Sequence, residues 1–361
     1  MRADVNQLMQ GRLGEWLASQ SDMRASARQV AASRWTWGAG GLLVLFALVP
    51  FGPDWLTGFQ WHLLVGGGLA VWWWGYRPIG EAKQQIKLGI NSAIARSLGV
   101  SYEHAVEPGA EFEAAKRYGL VPAFGRSGFE DRWHGTLEGH AFNLYEAHLE
   151  ERRGSGKNRR WVTVFRGVII QMAFGRPFHS TTLLQRAGEH RKWFGLGGTK
   201  DSVRFDGHQL DFVDQVHPDF EEKFGLFSDD QVEARVLVHP SYIEHLLRLE
   251  TAFGAKELRA LFVRGEVILA VEGEDLFESG TMDARQDRAR AEQTAEQFAA
   301  LAALALAINQ TERGRAMGAA RMPDANEAGP VTGDAIAPPS VAPIAARSAA
   351  RPGARFGRKG L

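Results

Sequence analysis

Two short stretches hold the residues best able to do chemistry. GFEDRWHG, residues 128–135, gathers Glu130, Asp131, Arg132 and His134 within five positions. Carboxylates beside an imidazole are the usual partners of general acid–base catalysis. FSDDQVEAR, residues 227–235, adds Asp229, Asp230, Glu233 and Arg235. Both also have structural readings. In an uninterrupted strand Glu130, Arg132 and His134 share one face while Asp131 and Trp133 share the other, which suits an ion-paired strand surface. In the second stretch Ser228 as N-cap with Gln231 three residues on forms a capping box. Asp229 and Asp230 then fall in the first turn, where negative charge complements the helix dipole. Ser241 with Glu244 repeats the device. Glu233 and Arg235 stand two apart and do not face each other on one helix, and the alternation of Val232, Ala234, Val236 and Val238 also permits a strand.

Other chemistries lack their residues. The chain has no cysteine, which removes disulfides, thiolate ligands and cysteine nucleophiles. Its eleven histidines form no HExxH and no i, i+4 pair, so no metal site is expected. GxSxG is absent, and GLGGTK (195–200) lacks the adjacent Gly-Lys-Ser/Thr of a phosphate loop; no cofactor is expected. Lysine plus arginine equals aspartate plus glutamate at 42 each, which gives no field for specific nucleic-acid binding.

The elements that would position these residues make an α+β fold. Residues 112–185 read as an antiparallel sheet, with Glu138-Gly139 as a turn and ERRGSGKNRR as a longer hairpin loop. WVTVFRGVIIQMAF is apolar on both faces, as in a central strand covered on both sides. Arg264-Gly265-Glu266 turns a second hairpin, and an alanine-rich helix runs from Asp283 to about Asn309. Leu13, Trp16 and Leu17 belong to a helical stripe near the N-terminus, and Ile79, Ile86, Ile90 and Ile94 to another.

Between these stripes lies an uncharged region. Residues 35–53 and 55–76 carry no charge and are separated only by Asp54, and seven of the eleven tryptophans fall from Trp35 to Trp74. Spans of roughly 20 apolar residues can cross a bilayer, and PFGPDWLTG supplies a turn. Trp35, Trp37, Trp55, Trp61, Trp72, Trp73, Trp74 and Tyr76 then suit interfacial belts. The expectation is a two-helix transmembrane hairpin plus a cytoplasmic domain with an antiparallel sheet and packed helices. Arginine and lysine flank the hairpin on its outer ends only, which places both termini in the cytoplasm of a multi-pass bacterial inner-membrane protein. The division is an N-terminal cytoplasmic helix at 1–34, the hairpin at 35–76, an α+β domain at 77–310, and a disordered Ala/Pro/Arg-rich tail at 311–361.

The hairpin, EDRWHG, VFRGVIIQMAF and FGLFSDDQVEARVLVHPSYIEHLLRL together resemble the bacterial membrane-protein family catalogued as domain of unknown function 3137. Its extended motif maps onto Phe220, Phe224, Leu226, Phe227, Ser228, Asp230, Val232, Glu233, Ala234 and Arg235, with Leu226-Phe227 in place of Val-Tyr. The resemblance covers approximately residues 10–280 and implies no reaction.

Three functional readings stay open. The first is a non-enzymatic module that binds a protein partner or scaffolds an assembly, with homo-oligomers possible. The second is a membrane-tethered enzyme using Glu130, Asp131, His134, Asp230 and Glu233 in one cleft. The third is a regulatory module associated with the lipid bilayer.

Overall fold

The computed structural model describes residues 10–51, 54–175, 177–187, 201–205, 207–214, 218–273 and 281–308. The expected tail at 311–361 and GLGGTK lie outside the described residues.

Two long helices open the chain, α1 (Arg12–Leu48) and α2 (Asp54–Leu98). β1 (Ser101–Ala105) and α3 (Ala110–Arg117) follow, then three long strands, β2 (Arg126–Leu137), β3 (His140–Arg153) and β4 (Arg160–Ala173). Next come β5 (Thr182–Arg186), β6 (Ser202–Phe205), β7 (His208–Val213), α4 (Pro218–Lys223) and β8 (Phe224–Ser228). α5 (Gln231–Leu237), α6 (Pro240–Ala252), β9 (Glu257–Val263), β10 (Glu266–Glu272) and α7 (Asp287–Ile308) complete the order.

The strands form one ten-stranded antiparallel sheet in the order β1-β2-β3-β4-β10-β9-β5-β8-β7-β6. The turns lie where the sequence put them: Glu138-Gly139 and Arg264-Gly265 all have positive φ, the geometry of a tight hairpin. β4 is covered on both faces, with Val168, Ile169 and Ile170 all fully buried. Gly167 in β4 leaves room for the β10 backbone, since a Cβ there would collide with Val271 and Glu272. Residues 110–117 form a helix rather than sheet, because Phe112 and Ala115 repeat at helical spacing and pack under the strands.

Each sheet face carries its own core. On one face Ile86, Ile90 and Ile94 of α2 join Leu13 and Leu17 of α1, Trp133, Leu144, and the apolar sides of α6 and α7. On the other, Phe112, Tyr145, Leu149, Phe165 and Ile169 pack together. Each large apolar side chain so buried stabilises by about 1.5–3 kcal/mol. A buried ion pair, Arg24 with Asp287 at 2.7 Å, fastens α1 to α7. Burial pushes the Asp287 carboxyl up, and hydrogen bonding from Arg24 opposes the rise.

The transmembrane expectation is corrected here. No helix among the described residues is long and apolar enough to cross a membrane. The multi-pass inner-membrane placement, with its cytoplasmic termini, falls with it. Absence of charge is not apolarity. The stretch is diluted by Gly38, Gly40, Gly41, Gly66, Gly67 and Gly68, by Thr36, Gln60 and His62, and by polar-edged indoles. α1 also runs unbroken through Arg24, Arg28 and Arg34, and α2 runs through Pro78 to Leu98.

What remains is a helical hairpin. Gly38 lies against Val71 and Gly67 against Leu42, allowing α1 and α2 to pack closely. The Trp35 indole donates to the Trp72 carbonyl at 3.3 Å, and Arg34 donates to that of Trp74 at 3.1 Å. Trp37, Trp61, Trp72, Trp73, Trp74 and Tyr76 are exposed, with Trp72 stacked on Tyr76 at 5.7 Å. The side chain of Trp55 falls outside the described residues.

Candidate functional site

The sheet brings Asp131 to a focus that alternation did not foresee. β2 pairs with β3 through Glu130↔Glu146 and resumes at Trp133↔Leu144, so Asp131 and Arg132 together oppose Tyr145. This β-bulge turns Asp131 to φ 57, a left-handed conformation that a non-glycine residue seldom takes. Glu130, Arg132 and His134 therefore do not form one regular row. The carboxylate of Asp131 is fully buried. One oxygen pairs with the buried ammonium of Lys87 from α2. The other accepts from the Tyr102 hydroxyl at 2.7 Å and faces His104 Nδ1 at 3.0 Å. The Gln84 side chain stands 3.0 Å from the second ring nitrogen of His104. Burial, and then the charge of Asp131, drive the Tyr102 phenol well above its usual range.

Two other polar residues of the motif, Arg132 and His134, go elsewhere. Arg132 donates to Asn143 at 2.9 Å, and His134 lies 3.5 Å from Glu103 on β1. The exposed Glu130 lines a cavity of about 480 Å³ together with His104, Glu146, His148, Arg166 and Gly273, among others. A volume of this size lies in the range of small-molecule sites.

FSDDQVEAR sits apart, and its acids serve the backbone. The helix starts two residues later than the capping-box reading has it. Asp230 is the N-cap of α5 and accepts from the Val232 and Glu233 amides, each at 2.9 Å. Ser228 closes β8 instead, hydrogen-bonded to Thr182 at 2.8 Å. Asp229 accepts from the Thr181 amide at 2.8 Å. Glu233 accepts from the Ser180 amide at 2.7 Å and the His179 amide at 3.0 Å. Burial acts to raise the Glu233 carboxyl, but those amides outweigh it, and the net shift is downward. Arg235 donates to the Asp214 carbonyl at 3.3 Å. The next helix, α6, is capped by His239 with Pro240 in its first turn, so Ser241 is not the cap.

The 480 Å³ cavity is thus lined by Glu130 and by none of Asp230, Glu233 or Arg235. The shared acidic cleft imagined for the enzyme reading is not assembled there. Sequence reasoning missed Lys87, Tyr102 and His104, the partners that define the Asp131 site. Their signals were a lysine in the isoleucine-rich face of α2 and an alternating polar strand, SYEHA.

A family model described as protein of unknown function, DUF3137, matches residues 163–310. The match takes in FSDDQVEAR but neither the hairpin nor EDRWHG, so it covers less of the chain than the resemblance implied. No curated protein matches the chain. Among solved structures, the mycobacterial trehalose monomycolate transport factor A, TtfA, aligns with 13% identity and a TM-score of 0.31. The alignment covers 60% of this chain and 92% of that one.

Proposed function

We propose that this protein is a non-catalytic partner-binding module and that its helical hairpin is the docking surface. The observation that carries this reading is a large exposed apolar surface on two helices whose other halves are fixed in the core. Trp37 is 78% exposed, Phe51 87% and Trp61 66%, with Val65, Leu69 and Trp73 also open. At about 150–250 Å² for a whole aromatic side chain, the exposed apolar area of the hairpin is on the order of 1,000 Å². That exceeds the few hundred Å² usual for a monomer's largest patch, and it matches the roughly 800 Å² each partner contributes to a standard interface.

The occupant is a protein that presents an uncharged, apolar helical surface. From Trp35 to Tyr76 the hairpin carries no lysine, arginine or glutamate, and Asp54 as its one aspartate. It does offer open notches: Gly40, Gly41, Gly66 and Gly68 have nothing within 4 Å of where a Cβ would stand. Notches beside exposed indoles admit the ridges of another helix. The acids of FSDDQVEAR support a non-catalytic role, since Asp229, Asp230 and Glu233 are engaged by backbone amides.

Co-purification from the native host tests this, comparing the wild-type chain with a variant carrying Trp37→Asp, Trp61→Asp and Leu69→Asp. A stoichiometric partner held by the wild type and lost by the variant is expected. A second copy of the chain in that place would assign self-association. Flotation of the wild type with anionic vesicles, lost in the variant, would assign the surface to lipid and overturn the protein reading.

A further inference from the structure

The geometry points to a binding site for one divalent transition-metal ion, of the zinc and manganese type, formed by His104, Glu130 and Asp131. One nitrogen and two carboxylate oxygens from these residues lie within 4.8 Å of one another. The sheet brings them together: β1 pairs with β2 through Glu103↔Arg132 and Ala105↔Glu130, and the bulge turns Asp131 toward His104. Donors sharing one such ion at bonds of about 2.0–2.2 Å stand roughly 3–3.5 Å apart. His104 Nδ1 and Asp131 already stand at 3.0 Å. The exposed Glu130 side chain closes the remaining gap by rotating.

The surrounding groups have the form of an outer shell. Ligating carboxylates and imidazoles are oriented by further hydrogen bonds. Here Lys87 holds the other oxygen of Asp131, Tyr102 donates to the carboxylate, and the Gln84 amide addresses the far nitrogen of His104. The Gln84 amide nitrogen faces Nε2; ion binding at Nδ1 requires that amide to turn, so that its oxygen accepts from Nε2–H and the Nδ1 lone pair is free. The cavity beside Glu130 leaves the remaining coordination positions to water. A mixed nitrogen and oxygen set favours zinc or manganese over calcium.

Titration calorimetry on the chelator-treated full chain, with zinc chloride and with manganese chloride, tests the site. One saturable site per chain is expected. Glu130→Gln, which leaves the core untouched, should weaken binding by about tenfold or more, and His104→Gln should do the same. Glu113→Gln, an exposed acid on α3, should change nothing. If His104→Gln fails to fold, Glu130→Gln decides alone. Neither ion giving a saturable site would overturn the assignment. Glu130→Gln binding within twofold of the wild type would overturn it as well, by showing that scattered surface histidines account for the heat.

Discussion

Lys87→Met isolates the most consequential interaction on the helix-covered face of the sheet. It leaves the Asp131 carboxylate fully buried without its ammonium partner. Breaking a buried pair from one side costs about 3–5 kcal/mol, because the remaining charge stays desolvated. Tyr102 and His104 still face one oxygen of Asp131, which places the cost near the lower end. About 3 kcal/mol corresponds to roughly a 150-fold fall in the folding equilibrium constant. Urea unfolding followed by circular dichroism reads this directly as a lower midpoint. Adding Asp131→Asn removes the stranded charge, so the double variant should be more stable than Lys87→Met alone. Additive losses would refute the reasoning. So would a cost for Lys87→Met within about 1 kcal/mol, the scale of an exposed pair.

Three further outcomes follow from single residues. Glu233 has a folded pKa below its ordinary value of 4.5, so its contribution is full above that value and fades as pH falls through the lower folded pKa; Glu233→Gln should therefore flatten the acid limb of a stability–pH curve and leave its slope near neutrality unchanged. Asp230→Ala removes the α5 cap and should cost about 1 kcal/mol in chemical denaturation. Gly167→Ala drives a Cβ into the β10 backbone and should lower thermal stability by about 1–3 kcal/mol, whereas Gly128→Ala, with open space around it, should not.

The sheet was legible where local chemistry dictates it. Glu138-Gly139 and Arg264-Gly265 needed only turn preferences, and the two-faced apolarity of β4 announced a covered strand. The Asp131 site was not legible, because an inserted residue leaves no mark on the alternation of a single strand. Its partners arrive from α2 and β1, 44 and 27 residues away in the pairs with Lys87 and His104. For the same reason no histidine spacing pointed to His104 and Glu130. Each cap slipped by two positions; in the first case Ser228 and Asp230 are both competent N-caps, and only the length of β8 decides between them. Glu233 resisted a local account since the amides it accepts from lie more than fifty residues upstream. The transmembrane hairpin expected at 35–76 was not there: the helices run on through the charged flanks, and freedom from charge is not the apolarity a membrane span requires.

On the proposed reading the hairpin is covered by another protein. Site-specific photo-crosslinking in the native host tests it most directly, with a benzophenone side chain placed in turn at Trp37, Trp61, Leu69 and Trp73, and at Glu113 as control. One protein adduct of defined mass is expected at the four hairpin positions and none at Glu113. No protein adduct at any hairpin position, or equal labelling at Glu113, would contradict it.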